Sequence, residues 1–460
     1  MMGAERTRKG LWATTLAAAM GLLALVVVAP ALAEPHDDAV AAYHRRDYAS
    51  VLQILRPLAA QGEARAQFGL GFLYAHGQGV RLDDVQAVRW FRRAADQGLA
   101  DAQADLGFMY ASGRGVTKSE SEALRWYRKA ADQNHAVAQN NLGFMYANGQ
   151  GVRRNDATAV GWYRKAAEQG HADAQVNLGF MYDNGWGVRR SYTEAFAFYR
   201  RAAAQGHVIA QYNVGSLYLA GLGVRRDDTE AAKWYLEAAF QDYAAAQFNL
   251  GYMYAHGRGV PQDDVTALEW YREAANRGDV RAQVNLAAMI ADGQGIPPDP
   301  AEAAVWYRRA ATQGYAEAQY RLGLMFGEGR GVPPDDAEAA RWYRLAAIQG
   351  HAAAQCSLGS LYAMGQGVPS DDVEAALWYR LAADQGHVGA QSSLGFMYEA
   401  GRGVVQDAAE ARRWYDLAAA GAPPADARDD AGMTDDRVDP TILDDQVAQA
   451  PRPVGGRSRR

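Results

Sequence analysis

The chain has 460 residues, of which 49% are hydrophobic and 22% are charged, and this composition is typical of folded proteins rather than disordered ones. Its formal net charge of -6 shows no basic excess, which argues against nucleic acid as a partner. The single cysteine, Cys356, excludes an intrachain disulfide, so packing alone must stabilise the fold.

The N-terminal segment, residues 1–33, has the pattern of a signal peptide. Basic residues precede an apolar stretch, and Ala31-Leu32-Ala33 supplies the small residues of a cleavage site. The apolar stretch is also long enough to span a membrane, so an uncleaved anchor is the alternative. We therefore expect an exported protein, periplasmic or secreted, unless this segment anchors it in the membrane.

Residues 34–62 are predicted to form a divergent N-terminal helical hairpin. This segment lacks the glycine pair that marks the sequence after it. A terminal repeat is expected to differ from the others, because one of its faces meets water instead of a neighbour. Ten full repeats are predicted over residues 63–421.

The repeats have a period of 36 residues, and each contains a Gly-x-Gly pair such as Gly149-Gln150-Gly151. The pairs begin at Gly77, Gly113, Gly149, Gly185, Gly221, Gly257, Gly293, Gly329, Gly365 and Gly401. A phosphate-binding loop would need a strand before the glycines, whereas here an amphipathic helix precedes them. We interpret the glycines as the exit from a helix, because glycine adopts left-handed conformations that other residues resist.

Each repeat is predicted to contain two helices. In the first, Gly143 is expected to let a neighbouring helix approach closely. The second begins at a capping box, an Asp or Ser followed three residues later by Glu, as at Ser119. Its inward face is predicted to carry Ala231, Trp234 and Ala238, with Trp234 filling the gap between small residues. No segment shows the period-two alternation of a strand, so no sheet is expected.

Residues 422–460 leave the repeat pattern. Their composition shifts to Pro, Asp and Arg, which predicts a disordered charged tail. A short helix over residues 441–450 that caps the last repeat is the alternative.

The repeat reads Ala-x-Ala-Gln-x-x-Leu-Gly-x-Met-Tyr, then Gly-x-Gly-Val, then Ala-x-x-Trp-Tyr-x-x-Ala-Ala. This pattern resembles the Sel-one-like repeat, a branch of the tetratricopeptide-repeat superfamily, over residues 37–421. The resemblance implies an all-α fold, an α-solenoid of stacked antiparallel helix hairpins in a right-handed superhelix with a concave binding face. It also implies an adaptor in exported or membrane-linked complexes. Members linked to β-lactam binding carry paired cysteines in each repeat, so that activity is not carried over to this chain.

One repeat position, just before the Leu-Gly of the first helix, holds Asn in five consecutive repeats: Asn141, Asn177, Asn213, Asn249 and Asn285. In tetratricopeptide domains this position faces the concave groove and binds a peptide backbone, and the resemblance implies the same here. Three residues further on, on the same helix face, lies an aromatic row that includes Phe108, Phe144, Phe180 and Tyr252. We predict that these residues bind the partner. The alternative is that the Asn row hydrogen-bonds the neighbouring helix and the aromatic row is buried between repeats.

Five histidines share another repeat position: His135, His171, His207, His351 and His387. Consecutive copies are expected to lie about 10 Å apart, the spacing of packed helices, which is too far to share a metal ion. We predict that these side chains cap helices, and we expect neither a metal site nor a cofactor.

These observations predict a non-enzymatic scaffold of the cell envelope that binds another protein, or an extended peptide segment of one. No nucleic acid or small-molecule substrate is expected. Two alternatives stay open. One is a cell-wall-active or β-lactam-processing hydrolase, although no serine nucleophile stands in a sharp-turn motif. The other is a structural spacer that binds through its tail.

Overall fold

The computed structural model describes residues 35–421, so the predicted signal peptide and tail lie outside the described residues. Within this range the chain forms 22 α-helices and no strand, which confirms the all-α prediction. The described residues divide after Arg226 into two compact units, called here unit 1 (residues 35–226) and unit 2 (residues 227–421).

The helices of each unit follow one another in chain order. Unit 1 contains α1 (Pro35–His44), α2 (Tyr48–Ala60), α3 (Ala64–His76), α4 (Asp84–Asp96), α5 (Ala100–Ser112), α6 (Glu120–Asp132), α7 (Ala136–Asn148), α8 (Asp156–Glu168), α9 (Ala172–Asn184), α10 (Tyr192–Ala203) and α11 (Val208–Ala220). Unit 2 contains α12 (Asp228–Ala239), α13 (Ala244–His256), α14 (Asp264–Asn276), α15 (Val280–Asp292), α16 (Pro300–Thr312), α17 (Ala316–Glu328), α18 (Asp336–Ala347), α19 (Ala352–Met364), α20 (Asp372–Asp384), α21 (Val388–Ala400) and α22 (Ala408–Gly421).

From α3 onward, odd-numbered helices are the first of a repeat and are called A-helices, and even-numbered helices are the second and are called B-helices. Within each unit, every helix packs against the helices that precede and follow it in the chain. This pattern of nearest-neighbour contacts is that of an α-solenoid built from helix hairpins, as predicted.

The Gly-x-Gly pair ends the A-helix, as the sequence predicts. Gly149 has a left-handed φ of 68°, and its N–H donates to the Met145 carbonyl. Gly151 is also left-handed, with a φ of 64°, and a Cβ on it would lie 2.7 Å from the Glu120 carbonyl oxygen of the preceding repeat. The first glycine therefore ends the helix and turns the chain. The second, which has no Cβ, lets its loop pack closely against the backbone of the preceding repeat.

The B-helix begins at a capping residue, which confirms half of the predicted capping box. The hydroxyl of Ser119 accepts the N–H of Glu122 at 3.3 Å, and Asp335 caps α18 in the same way at 3.0 Å. The predicted reciprocal bond from Glu to the cap N–H is wrong. The Ser119 N–H donates instead to the Tyr110 carbonyl of the preceding A-helix at 2.9 Å, because the short loop returns the chain to that helix.

The core lies between A- and B-helices, where alanine, leucine and methionine pack around a tyrosine that is buried in most repeats. A Cβ on Gly143 would lie 2.8 Å from the ring of Tyr163, so the expected close approach is confirmed. The expectation that Trp234 fills the inward face is wrong. Tyr235 is buried whereas Trp234 is half-buried, because the tyrosine ring takes the space that the A-helix glycine leaves open in such repeats.

The repeated Ala-Gln pair ties successive repeats together. Gln103 of an A-helix donates to the Ala95 carbonyl at the end of the preceding B-helix at 3.1 Å. Its own side-chain oxygen accepts from Gln133, at the end of the following B-helix, at 2.7 Å. The same bridge recurs in unit 2, where Gln385 donates to Gln355 at 2.7 Å. Each bond contributes about 1 kcal/mol, and the bond to the Ala95 carbonyl adds a second donor to a helix C-terminus that already accepts the Gly98 N–H.

Within residues 35–421, each helix is too short or too polar to cross a membrane.

Candidate binding surface

The predicted binding residues lie on the A-helices, and the surface that these helices present is called here the A-face. The five asparagines differ in exposure along it. Asn141 and Asn213 are half-buried, whereas Asn177, Asn249 and Asn285 are only 3%, 2% and 1% exposed. A ligand can therefore contact the first two without any rearrangement of the helices, but not the other three.

One asparagine of the row makes a hydrogen bond inside the stack. Asn177 donates to Asn140 of the preceding A-helix at 2.9 Å, and both side chains are buried. This contact matches the alternative drawn from the sequence, in which the row joins neighbouring helices. A role for the row in binding stays a prediction.

The aromatic row is divided in the same way. Phe108 and Phe144 are half-buried, whereas Phe180 and Tyr252 are buried. The Phe180 ring meets Trp186 edge-on, with 5.3 Å between ring centroids. In unit 1, accessible aromatic surface at this position therefore belongs to α5 and α7.

The histidine row caps A-helices, as predicted. Nδ1 of His135 accepts the N–H of Ala138 at 3.2 Å, and His207 caps α11 in the same way. Because a backbone N–H can only donate, the ring proton lies on Nε2. From there it is donated to a carboxylate one repeat back, from His135 to Asp101 at 3.0 Å and from His207 to Asp173 at 3.0 Å.

The carboxylate partners of these histidines were not predicted from the sequence. A spacing of 34 residues separates Asp101 from His135, and the same spacing separates Glu317 from His351 in unit 2, where the distance is 2.8 Å. This recurring interval of 34 residues is the sequence signal from which the histidine–carboxylate pairs could have been predicted. The bond to His207 holds the pKa of Asp173 below its usual range.

Burial shifts the pKa values of several titratable groups on the A-helices, among them Asp105 and His171. Burial raises the pKa of Asp105 to about 7, with nearby Asp101 adding to the rise and His135 opposing it. Burial lowers the pKa of His171, which lacks a carboxylate at the position of Asp101 because Val137 stands there. Among the described residues, no three His, Cys, Asp or Glu side chains converge as a metal site.

Comparisons with known proteins decide the family. The family model described as Sel1 repeat matches ten consecutive segments that together cover residues 64–422. The chain belongs to the Sel1 repeat family. The histidine caps thus stand at the last residue of the matched segments, as at the boundary 100–135.

Two solved structures are similar over most of the chain. One is a protective antigen present in uropathogenic Escherichia coli strains, with 33% identity, a TM-score of 0.60, and coverage of 87% of this chain and 95% of that one. The other is a Sel1 repeat protein from Oxalobacter formigenes, with 32% identity, a TM-score of 0.53, and coverage of 75% and 99%. A comparison with curated proteins finds no match. The Sel1 repeat fold commonly mediates protein–protein interaction and is typically non-catalytic.

One Sel1 repeat of unit 2 departs from the others on the A-face. Asp279 replaces the capping histidine of α15, and the buried Arg281 forms an ion pair with it at 2.8 Å. The capping residue is therefore an acid and its partner a base, the reverse of the histidine–carboxylate pairs. The guanidinium also stacks on Phe248, 4.0 Å from the ring centroid. Residues 281–290 are all buried, so the middle of α15 offers no surface to a partner.

Proposed function

We propose that this Sel1 repeat protein is a non-enzymatic scaffold that binds a segment of another protein on the A-face of unit 1. The observation that carries the proposal is the accessible cluster on α5 and α7. There, Phe108, Asn141 and Phe144 are half-buried at equivalent or neighbouring repeat positions. Aromatic rings beside an amide fit a peptide, because the rings bury apolar side chains and the amide pairs with a backbone group.

Charge supports a partner segment that is basic or rich in hydrogen-bond donors. The A-helices from α5 to α11 contain no Lys or Arg, whereas Asp101 and Asp173 lie along this part of the A-face, half-buried. Such an arrangement attracts cationic groups and disfavours acidic ones. The signal-peptide pattern of residues 1–33 supports the cell envelope as the place where the partner is met.

The test is a cross-linking pull-down from the native envelope fraction with two triple variants of the chain. The first, F108A/N141A/F144A, removes the accessible cluster. The matched control, L82A/V85A/T193A, alters three exposed positions of unit 1 that lie on other surfaces. Circular dichroism establishes that both variants are as helical as the native chain.

We expect the first variant to lose a partner that the control retains, because only the first alters the A-face. Retention of the same partner by both variants would refute the proposal. Asn177 is unsuitable for this test, because its side chain is buried against Asn140 and its removal would disturb packing.

A further inference from the structure

A row of exposed cations crosses the B-helices of unit 1. Each B-helix from α4 to α10 carries two adjacent basic residues near its C-terminus, and all eight side chains are exposed. The four pairs, called here the basic row, are Arg92-Arg93, Arg128-Lys129, Arg164-Lys165 and Arg200-Arg201. Because the pairs occupy the same position in successive hairpins, neighbouring pairs lie about 10 Å apart.

The C-terminal ends of successive B-helices are in contact, so the pairs form one continuous row. Gln169, just after α8, donates to the side chain of Asn134, just after α6, at 3.2 Å. Arg201 of the row donates to the Ala167 carbonyl of α8 at 3.1 Å. Three steps between neighbouring pairs make the row about 30 Å long.

Aromatic groups, rather than acids, contact the cations of the row. Nζ of Lys129 lies 4.3 Å from the centroid of the Trp126 ring, and Nζ of Lys165 lies 4.2 Å from that of Trp162. Arg164 donates to the hydroxyl of Tyr182 at 2.9 Å. None of the eight cations forms an ion pair with another residue of the range 35–421. Direct pairing therefore leaves their charge available to an anion.

Fewer acidic residues than basic ones lie near the row. Asp96, Asp132 and Glu168 each follow a pair by three residues, and all three are exposed. Eight cations less three carboxylates leave five positive charges along these four helix ends. The row is therefore a cationic surface.

The fold alone does not explain the row. Cations near a helix C-terminus stabilise the helix dipole, which would be a purely structural role. In unit 2, however, the second residue of the pair is Glu237 on α12, Glu273 on α14 and leucine on α18, α20 and α22. These helices pack into the same hairpins as those of unit 1. Folding therefore does not require four successive basic pairs.

We propose that the basic row binds the surface of a membrane that contains anionic phospholipids. Each Lys or Arg held near such a surface strengthens the attraction to its phosphate groups. The distance between neighbouring pairs is close to the Debye length at 0.1 M salt, so the pairs act together. Lipids diffuse within the membrane, so headgroups can collect under each pair without a fixed register. The row is separate from the A-face, and the proposal does not depend on peptide binding there.

A membrane surface fits the row better than a strand of nucleic acid does. Proteins that bind single strands stack the bases on accessible aromatic rings. The rings beside the row are not accessible in this way, because Trp126 is only 2% exposed and Lys165 stacks on Trp162. Nucleic acid would therefore have phosphate contacts alone. The signal-peptide pattern of residues 1–33 also supports an encounter with membrane lipid.

The native full-length chain permits the first test, because it contains few lysines. Lys129 and Lys165 belong to the row, whereas Lys118 is exposed before the N-terminus of α6, at the opposite end of a B-helix. Mass spectrometry measures the rate of lysine acetylation with vesicles of phosphatidylglycerol and phosphatidylcholine in equal parts, and with phosphatidylcholine alone. We expect the anionic vesicles to slow acetylation of Lys129 and Lys165 but not of Lys118. High salt should remove this protection, since exposed charges are screened.

Two variants of the full chain with equal charge change provide the second test. R93Q/K129Q/K165Q/R200Q removes one cation from each pair, and we expect its binding to anionic vesicles in flotation to be at least about tenfold weaker. R81Q/R153Q/R189Q/R190Q removes four exposed cations from loops at the opposite ends of the B-helices and should bind nearly as well as the native chain. Residues 1–33 and 422–460 are the same in both variants, so a difference between them reports the row. Circular dichroism establishes that both are folded.

Three results would overturn the proposal. The first is equal protection of Lys118 and the two lysines of the row, and the second is equal weakening of binding by the two variants. Either would show that the row contributes only general charge. The third is protection of Lys129 and Lys165 by a single-stranded oligonucleotide but not by anionic vesicles at the same phosphate concentration, which would assign the row to nucleic acid.

Discussion

The glycine at position 143 gives a sharp test of how the hairpin packs, because a second helical glycine of unit 1 serves as its control. Helix propensity alone predicts that Gly→Ala stabilises either helix by about 0.5–1 kcal/mol. At Gly143, however, the new Cβ would lie 2.8 Å from the ring of Tyr163 and 3.2 Å from the Ala159 carbonyl oxygen. At Gly161, on the exposed side of α8, nothing lies within 4 Å.

Overpacking costs about 1–3 kcal/mol, which exceeds the gain from propensity. We therefore expect Gly143→Ala to destabilise the hairpin of α7 and α8 by about 1 kcal/mol, and Gly161→Ala to stabilise it by about 0.5–1 kcal/mol. The two variants should differ by about 2 kcal/mol, or about 25-fold in an opening equilibrium. Native-state hydrogen exchange of α7 and α8 amides is the suitable assay, because a repeat array need not unfold in one step.

A gain in stability at Gly143 equal to that at Gly161 would refute the close approach of the tyrosine ring. A double-mutant cycle with Tyr163→Leu separates the clash from other effects. Once the ring is absent, Gly143→Ala should become stabilising, as it is expected to be wherever a helical glycine has open space.

Three further changes are expected to have measurable effects. Gly151→Ala should cost about 1–2 kcal/mol more than Gly170→Ala in native-state hydrogen exchange of the adjoining helices, because both have positive φ but only at Gly151 would a Cβ meet the Glu120 backbone. Below pH 6.5, the His171→Asn variant should keep more of its stability than the native chain does. Because the pKa of His171 is lowered in the fold, the unfolded chain binds the proton first and the native fold loses stability as pH falls. Equal pH profiles of the two proteins would contradict this. Asp105→Asn should stabilise the fold by about 2 kcal/mol at pH 8 and by little below pH 4. The reason is that the folded pKa of Asp105, about 7, lies above its unfolded pKa, so the native chain loses stability as pH rises from the unfolded to the folded value. Chemical denaturation at pH 8 and below pH 4 measures the difference.

Much of the fold could be predicted from the sequence because each repeat is stabilised by its own short-range rules. The glycine exit at Gly149, the cap at Ser119 and the histidine caps depend on residues within a few positions of one another, and all were predicted. The reciprocal half of the capping box was not predicted correctly. It depends on where the loop returns to the A-helix, and that carbonyl is nine residues before the cap.

The candidate site was harder to predict, because exposure is decided by neighbouring repeats. Asn141 and Asn177 occupy the same repeat position on two A-helices, yet the Asn141 side chain is half-buried and that of Asn177 is only 3% exposed. The difference follows from the residues around each of them, such as Asn140, to which Asn177 donates. A repeat pattern gives the position of a side chain within a hairpin but not how closely the next hairpin covers it.

The sequence by itself determined the all-α class, the 36-residue unit, the family and the places where helices begin and end. These properties depend on periodicity and on local backbone preferences, which can be recognised in one repeat and recur in all ten. Only the tertiary structure decided which members of the asparagine and aromatic rows are accessible and that histidines pair with carboxylates 34 residues away. Those properties arise when hairpins stack, because residues one repeat apart in sequence become neighbours in space, and the burial of each depends on the side chains of both.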